Sequence, residues 1–282
     1  MNAHRTEPLS PGRHGGRYWR RFTSYGFARP LRQVPLVLAE VEPAAAAMPL
    51  VFAGGPAGLE PVALLRLVPG GPSPFISPQG LWLATYVPSI LRVHPFSARP
   101  AGDGKMMLMV DEQSGLVTDD PSDNAFFGPD GRPAPVTSGL VEFFRQREGS
   151  AGRARVAVAR LAELGLLIPF APEAPGVPAE AWAGLWAVNR DRYEALDDDR
   201  YLELRRLGAI ALVQAHLVSM AQLPWMQRAE ALRDEEAAGL RAATKSGPVV
   251  QPPSGPADGV RDFLAAMAAA QGPDRDPGRG DG

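Results

Sequence analysis

The sequence predicts an α+β fold, a mainly antiparallel sheet with a helical C-terminal half packed on it. Three observations lead there. The first part of the chain carries short aliphatic runs broken by Pro and Gly every few residues, the pattern of strands joined by turns. The second part carries longer stretches with apolar residues at helical spacing, the pattern of helices with one buried face. Strand-like and helix-like segments come mostly in separate blocks, which favours α+β over an alternating parallel sheet.

Taken in order, "VPLVLAEV" (34–41), "PLVFAG" (49–54), "PVALLRLV" (61–68) and "KMMLMVDE" (105–112) have strand length and turn-type boundaries. No long helix separates them, which predicts an antiparallel, meander-like sheet. "PAAAAM" (43–48) reads as one helical turn with Pro43 at its first position. In "GLWLATYVPSILRVHPF" (80–96), Leu81–Leu83 read as a short strand and Ser89–Val93 as one or two helical turns that Pro95 stops. Thr137 or Ser138 is placed to cap a helix carrying Leu140, Val141, Phe143 and Phe144. Gly149 and Gly152 predict a kink or break, with the pattern resuming at Val156 and stopping at Gly165. "LLIPF" (166–170) and "GLWAVN" (184–189) read as strands able to return to the first sheet, which favours one domain over two. Asp197, Asp198 and Asp199 precede a long helix from Arg200 to Ala221, where acidic residues match the positive end of the helix dipole. A further helix over 223–243 follows a kink at Pro224.

Composition bounds the function. Of the 282 residues, 45% are hydrophobic and 21% charged, enough for a sizeable core. A net charge of −2 gives no long-range pull on a polyanion, which argues against general nucleic-acid binding. With no cysteine, disulfides, thiolate catalysis and Cys-ligated zinc are excluded. The start, "MNAHRTEPLSPGRHGGRYWRRF", has no apolar core of a signal peptide, and no apolar run follows Arg20 and Arg21. No stretch approaches the roughly 18 apolar residues of a membrane span, so the expectation is a cytoplasmic protein. Residues 1–19 read as a flexible basic arm, 20–243 as a single domain, and 244–282 as a Pro/Gly-rich disordered tail. Within the tail, Val260, Phe263, Leu264 and Met267 share one face of a short helix at 260–270.

The candidate site is Trp82, Tyr86, Arg92 and His94, the densest group of polar-tipped aromatics and cations at a strand-to-helix corner. Read as a site, the corner is a pocket floored by Trp82 and Tyr86, with Arg92 gripping a carboxylate through two parallel hydrogen bonds. Read as scaffold, the same aromatics build a core corner. Asp111 and Glu112 form an acidic pair at a strand end, a solvated pair or a general base for the corner. The four histidines lack ligand spacing, so neither metal nor cofactor is expected. His216, with Leu212 and Met220 one turn away on each side, reads as a core histidine, and Ser219 on the same helix is badly placed for a triad. "AGGPAG" (53–58) lacks both the P-loop Lys and the dinucleotide-binding register. "HGGRYWRRF" (14–22) interleaves Arg with aromatics; either it grips RNA or an acidic surface, or Tyr18, Trp19 and Phe22 dock on the domain.

The order "VPLVLAEV … PLVFAG … PVALLRL … GLWLATYVPSILRVHPF … MLMVDE", then "LAELGLLIPF", "LWAVNRDRYEAL" and "LRRLGAIALVQAHLVSMAQL", resembles the SapC family of bacterial proteins from about Tyr25 to Leu223. Trp82, Tyr86, Val87, Pro88, Arg92, Pro95 and Phe96 carry the most specific part of the likeness, with Asp111, Glu112, His216 and Ser219 also matching. His94 departs from it, standing where the family commonly has a second aromatic. The resemblance implies a bacterial, cytoplasmic protein linked to cell-surface (S-layer) or uptake systems. Three function classes follow. One is a non-catalytic binding or assembly protein with a protein partner. Another is an enzyme of amino-acid or peptide modification at the corner. The third is a sensor of a small carboxylate or peptide ligand.

Overall fold

The structure is a computed structural model and describes residues 6–55, 58–102 and 105–245, so the helix predicted at 260–270 lies outside the described residues. The chain begins with strand β1 (Thr6–Pro8), a single turn α1 (Pro11–His14) and strand β2 (Tyr18–Trp19). Strand β3 (Gln33–Pro35) and helix α2 (Val41–Ala45) lead to the hairpin β4 (Leu50–Gly55) and β5 (Gly58–Leu64). A second hairpin, β6 (Phe96–Pro100) and β7 (Met106–Asp111), is followed by the short strands β8 (Val117–Thr118) and β9 (Asn124–Ala125). The helical half holds α3 (Pro135–Glu163), strands β10 (Leu167–Pro169) and β11 (Leu185–Val188), and helices α4 (Arg190–Glu194), α5 (Asp198–Arg206), α6 (Ala209–Ser219) and α7 (Leu223–Lys245). One compact unit runs to Ala237; the other, Ala238–Gly282, enters the described residues only as the last turns of α7.

The protein is α+β with antiparallel sheets. The strands in the helical half do return to the first sheet: β10 pairs with β11, and β11 with β4, giving the order β10-β11-β4-β5-β3. The single meander expected from the sequence is instead divided among three sheets. β7 lies between β1 and β6, and β2 lies between β8 and β9. β3 is also shorter than "VPLVLAEV" predicts. Leu36, Val37 and Val41 are all buried, and the chain turns through a 3-10 turn at Leu38–Glu40 whose Glu40 carboxylate accepts from Val37 N–H at 3.1 Å. Residues 6–19, read from the sequence as an arm, are thus built into two sheets, with Trp19 buried.

Two apolar clusters form the interior. The larger holds Phe52, Leu64, Leu161, Leu204 and Leu212, between the five-stranded sheet and the helices. The smaller holds Trp19, Phe96, Val110, Phe126 and Phe144. Helix α3 serves both, through Phe144 at one end and Ala157, Val158 and Leu161 at the other. It runs unbroken for 29 residues across Gly149 and Gly152, correcting the expected break. Buried Ser150, Ala154 and Ala157 let the helix lie close against its neighbours, and Ser150 Oγ accepts from Ala39 N–H at 3.1 Å. The helix starts at Pro135, with Thr137 buried inside its first turn instead of capping it.

The long helix expected over Arg200–Ala221 is also corrected. Gly208, at φ +75°, divides it into α5 and α6. A 3-10 turn at Met220–Gln222 precedes α7, so Pro224 opens a new helix where a kink was expected. The run Ala209–Glu235 is long and apolar enough to cross a membrane by length and composition alone, which the sequence reading did not anticipate. Leu212, Val213, Ala215 and Met226 within it are buried in the larger cluster, the behaviour of a core helix.

Candidate functional site

The aromatic corner is built by Gly80, where φ is +87° and a Cβ would lie 1.9 Å from Ser24 Oγ. Only glycine permits that approach. Beyond it Trp82 packs against Phe75 and Tyr25, and its indole N–H donates to the Tyr86 carbonyl at 2.8 Å. Ser89–Val93 form a 3-10 helix, and the His94–Pro95 peptide bond is cis. The Tyr86 hydroxyl donates to Glu40 Oε2 at 2.9 Å, and Ser89 N–H donates to the same oxygen at 2.8 Å. On the other oxygen, Arg147 Nη1 from α3 donates at 2.6 Å, while Arg147 Nη2 donates to the Pro35 carbonyl at 2.6 Å. Burial pushes the Glu40 carboxyl up, but Arg147, Ser89 N–H and Tyr86 outweigh it and hold the carboxyl below its ordinary range. Burial and the Glu40 charge together push the Tyr86 phenol up to about 12. This polar knot ties the corner to α3 at the place where the helix passes from one apolar cluster to the other.

Arg92 stands on top of the knot. Its guanidinium lies over the Tyr86 ring, 4.9 Å from the centroid, and its Nε donates to the Val87 carbonyl at 2.8 Å. Both terminal nitrogens are left without a protein partner among the described residues. Arg92 lines a cleft of about 500 Å³. Arg21 and His94 line it as well, with apolar walls from Phe22, Tyr25, Val93, Phe96, Val136 and Leu140. His94 is stacked on Phe27 with centroids 3.9 Å apart, which fixes its ring plane. None of the lining residues carries a carboxylate. The first turn of α3, which supplies Val136, has neither an acidic residue nor a side-chain cap, so the positive end of its dipole is uncompensated.

The structure brings together only part of the predicted set. Arg92 and His94 line the cleft; Tyr86 supports Arg92 from behind; Trp82 belongs to the packing beneath. Asp111 and Glu112 do not line it. Asp111 is buried at the end of β7, where its carboxylate accepts from Gln113 N–H at 3.0 Å, so it is not the solvated residue expected. Glu112 takes two hydrogen bonds from Arg13, at 2.7 and 2.6 Å, and sits 3.0 Å from Nε2 of buried His14, fastening α1 to the end of β7. His216 is the core histidine expected. Nδ1 is 2.8 Å from the Leu50 carbonyl, so it carries the proton, and Nε2 accepts from Val188 N–H at 3.2 Å. Sequence reasoning missed Glu40 and Arg147, and it did not join "HGGRYWRRF" to the corner. The signal was there: the Arg–aromatic alternation at Trp19–Phe22 forms one wall of the cleft that Arg92 and His94 close.

The SapC family profile matches residues 9–225, which takes in all the strands except β1, helices α1 to α6, and every residue of the cleft. The chain belongs to the SapC family. No curated protein and no solved structure matches it. The cleft and the knot behind it are thus features of a SapC chain.

Proposed function

We propose that this SapC protein is a non-catalytic cytoplasmic binding and assembly protein that serves a cell-surface (S-layer) or uptake system by holding a protein partner in the Arg21–Arg92–His94 cleft. One observation carries the reading: the cleft presents a guanidinium, that of Arg92, already held by other contacts, above apolar walls. Groups held in their bound positions before a partner arrives lower the entropy cost of binding. The enzymatic alternative, with Asp111 or Glu112 as base, finds both carboxylates engaged elsewhere. A small-ligand sensor is the second reading, because about 500 Å³ falls within the range of ligand pockets, roughly 300–1,000 Å³.

The test is capture from the native bacterium with wild type, Arg92→Ala and, as a distant control on α5, Arg205→Ala. Melting is measured on all three. The reading expects Arg92→Ala to melt within about 1 kcal/mol of wild type, as surface changes do, and to lose the partner that Arg205→Ala keeps. If Arg92→Ala keeps that partner, the cleft is scaffold. Thermal stabilisation by a small metabolite without any captured protein favours the sensor.

A further inference from the structure

We propose that the cleft's occupant is a peptide segment of a protein partner in which an Asp or Glu side chain stands beside an aromatic one, with the carboxylate gripped by Arg92 and faced by Arg21. The proposal rests on reading the cleft as the partner site and names the chemistry that site selects. Arg92 sets the acidic half of the ligand. Its Nε is spent on the Val87 carbonyl and its face on Tyr86, so the remaining edge is the Nη1–Nη2 pair. That edge matches the two oxygens of a carboxylate. Arg21 adds a second guanidinium with no hydrogen bond or ion pair among the described residues. Among the described residues no acidic side chain lines the cleft to compete.

The apolar half of the ligand follows from the walls. Phe22, Tyr25 and Phe96 offer aromatic edges and faces to a ring on the partner. Choosing a peptide over a free small acid follows from shape. The cleft is a surface trough, edged by exposed Arg21, Arg92 and Val136, between the Trp19–Tyr25 segment, the Arg92–Phe96 segment and the start of α3. Drug-sized ligands are usually enclosed over most of their surface, whereas a peptide runs in and out of such a trough.

The experiment titrates the full chain by calorimetry with three probes: the blocked peptide acetyl-Gly-Phe-Asp-Phe-Gly-amide, its Asn counterpart, and phenylacetate. The proposal expects the Asp peptide to bind at least about ten-fold more tightly than the Asn peptide, the cost of losing a charge-assisted bond. The difference should shrink as salt rises. Arg92→Lys should remove most of it, because an ammonium cannot make the paired contact. Equal binding of the Asp and Asn peptides overturns the carboxylate class. Phenylacetate binding as tightly as the Asp peptide overturns the choice of a peptide. Binding of neither peptide, with Arg92-dependent capture from the native bacterium intact, overturns the proposed chemistry and leaves the cleft standing; if capture is independent of Arg92, both readings fall.

Discussion

Four donors converge on the carboxylate of Glu40, a residue only 4% exposed: Val37 N–H, Ser89 N–H, the Tyr86 hydroxyl and Arg147. Removing that carboxylate strands a nearly buried guanidinium. Glu40→Ala is therefore expected to cost about 3–5 kcal/mol in denaturant unfolding. Protonation has a milder form of the same effect. Glu40 is held below its ordinary 4.5, so its contribution is present above that value and drains as pH falls through the lower, folded value. Tyr86 runs the other way. Its pKa is raised from 10.0 to about 12, so its contribution is whole below pH 10 and is lost as pH climbs from there through about 12. Between those values wild type should lose stability relative to Tyr86→Phe, read by alkaline unfolding curves; parallel curves would show that the phenol is not held this way. In the sequence Glu40 looks like the polar end of a strand, since nothing local marks it as the centre of contacts with residues 46 and 107 positions away. Tyr86, Arg92 and His94 were legible because polar-tipped aromatics and cations crowd one short segment.

Helix α3 and the α5–α6 break show what periodicity does and does not encode. The apolar spacing placed α3 correctly, and so did the stop at Gly165. The glycines within the helix were weighed by intrinsic propensity, which burial against two clusters overrides. Gly149 is exposed and a Cβ there meets nothing within 4 Å, so Gly149→Ala should stabilise the protein by about 0.5–1 kcal/mol, seen as a higher melting temperature. Gly208 is the opposite case. Its φ is +75°, and a Cβ would lie 2.9 Å from Leu38 Cδ2. Gly208→Ala should destabilise by at least about 1–2 kcal/mol, from backbone strain alone; a neutral result would show that α5 and α6 can merge into the single helix their apolar stripe describes. Glycine is read from sequence as weakness, yet whether it is tolerated or required depends on φ and on neighbours far away in the chain. The returning strands β10 and β11 were legible from length, flanking turns and apolar content. The partition into three sheets was not, because pairing partners are set by register across long separations.

At the scale of the whole molecule, two apolar clusters share one helix and one polar knot, so they should unfold together. Hydrogen exchange tests this: the best-protected amides of the β4–β5 and β6–β7 hairpins should report the same opening free energy, and two separate plateaus would show two independent domains. The N-terminal segment has a further bearing on how the molecule keeps company with its own copies. β1 covers one side of β7 through Thr6↔Asp111, Glu7↔Val110 and Pro8↔Met109, and Leu9 N–H reaches the Leu108 carbonyl at 2.8 Å. β8 and β9 meet only through β2. A chain shortened to begin at residue 20, the boundary that composition alone recommends, would bare a row of unpaired backbone groups on β7 and leave β8 and β9 without a middle strand. Such rims recruit strands from other molecules. The shortened protein should therefore self-associate in light scattering, and a synthetic peptide of residues 6–19 added in trans should return it to single particles by shielding those rims from the protein's own kind.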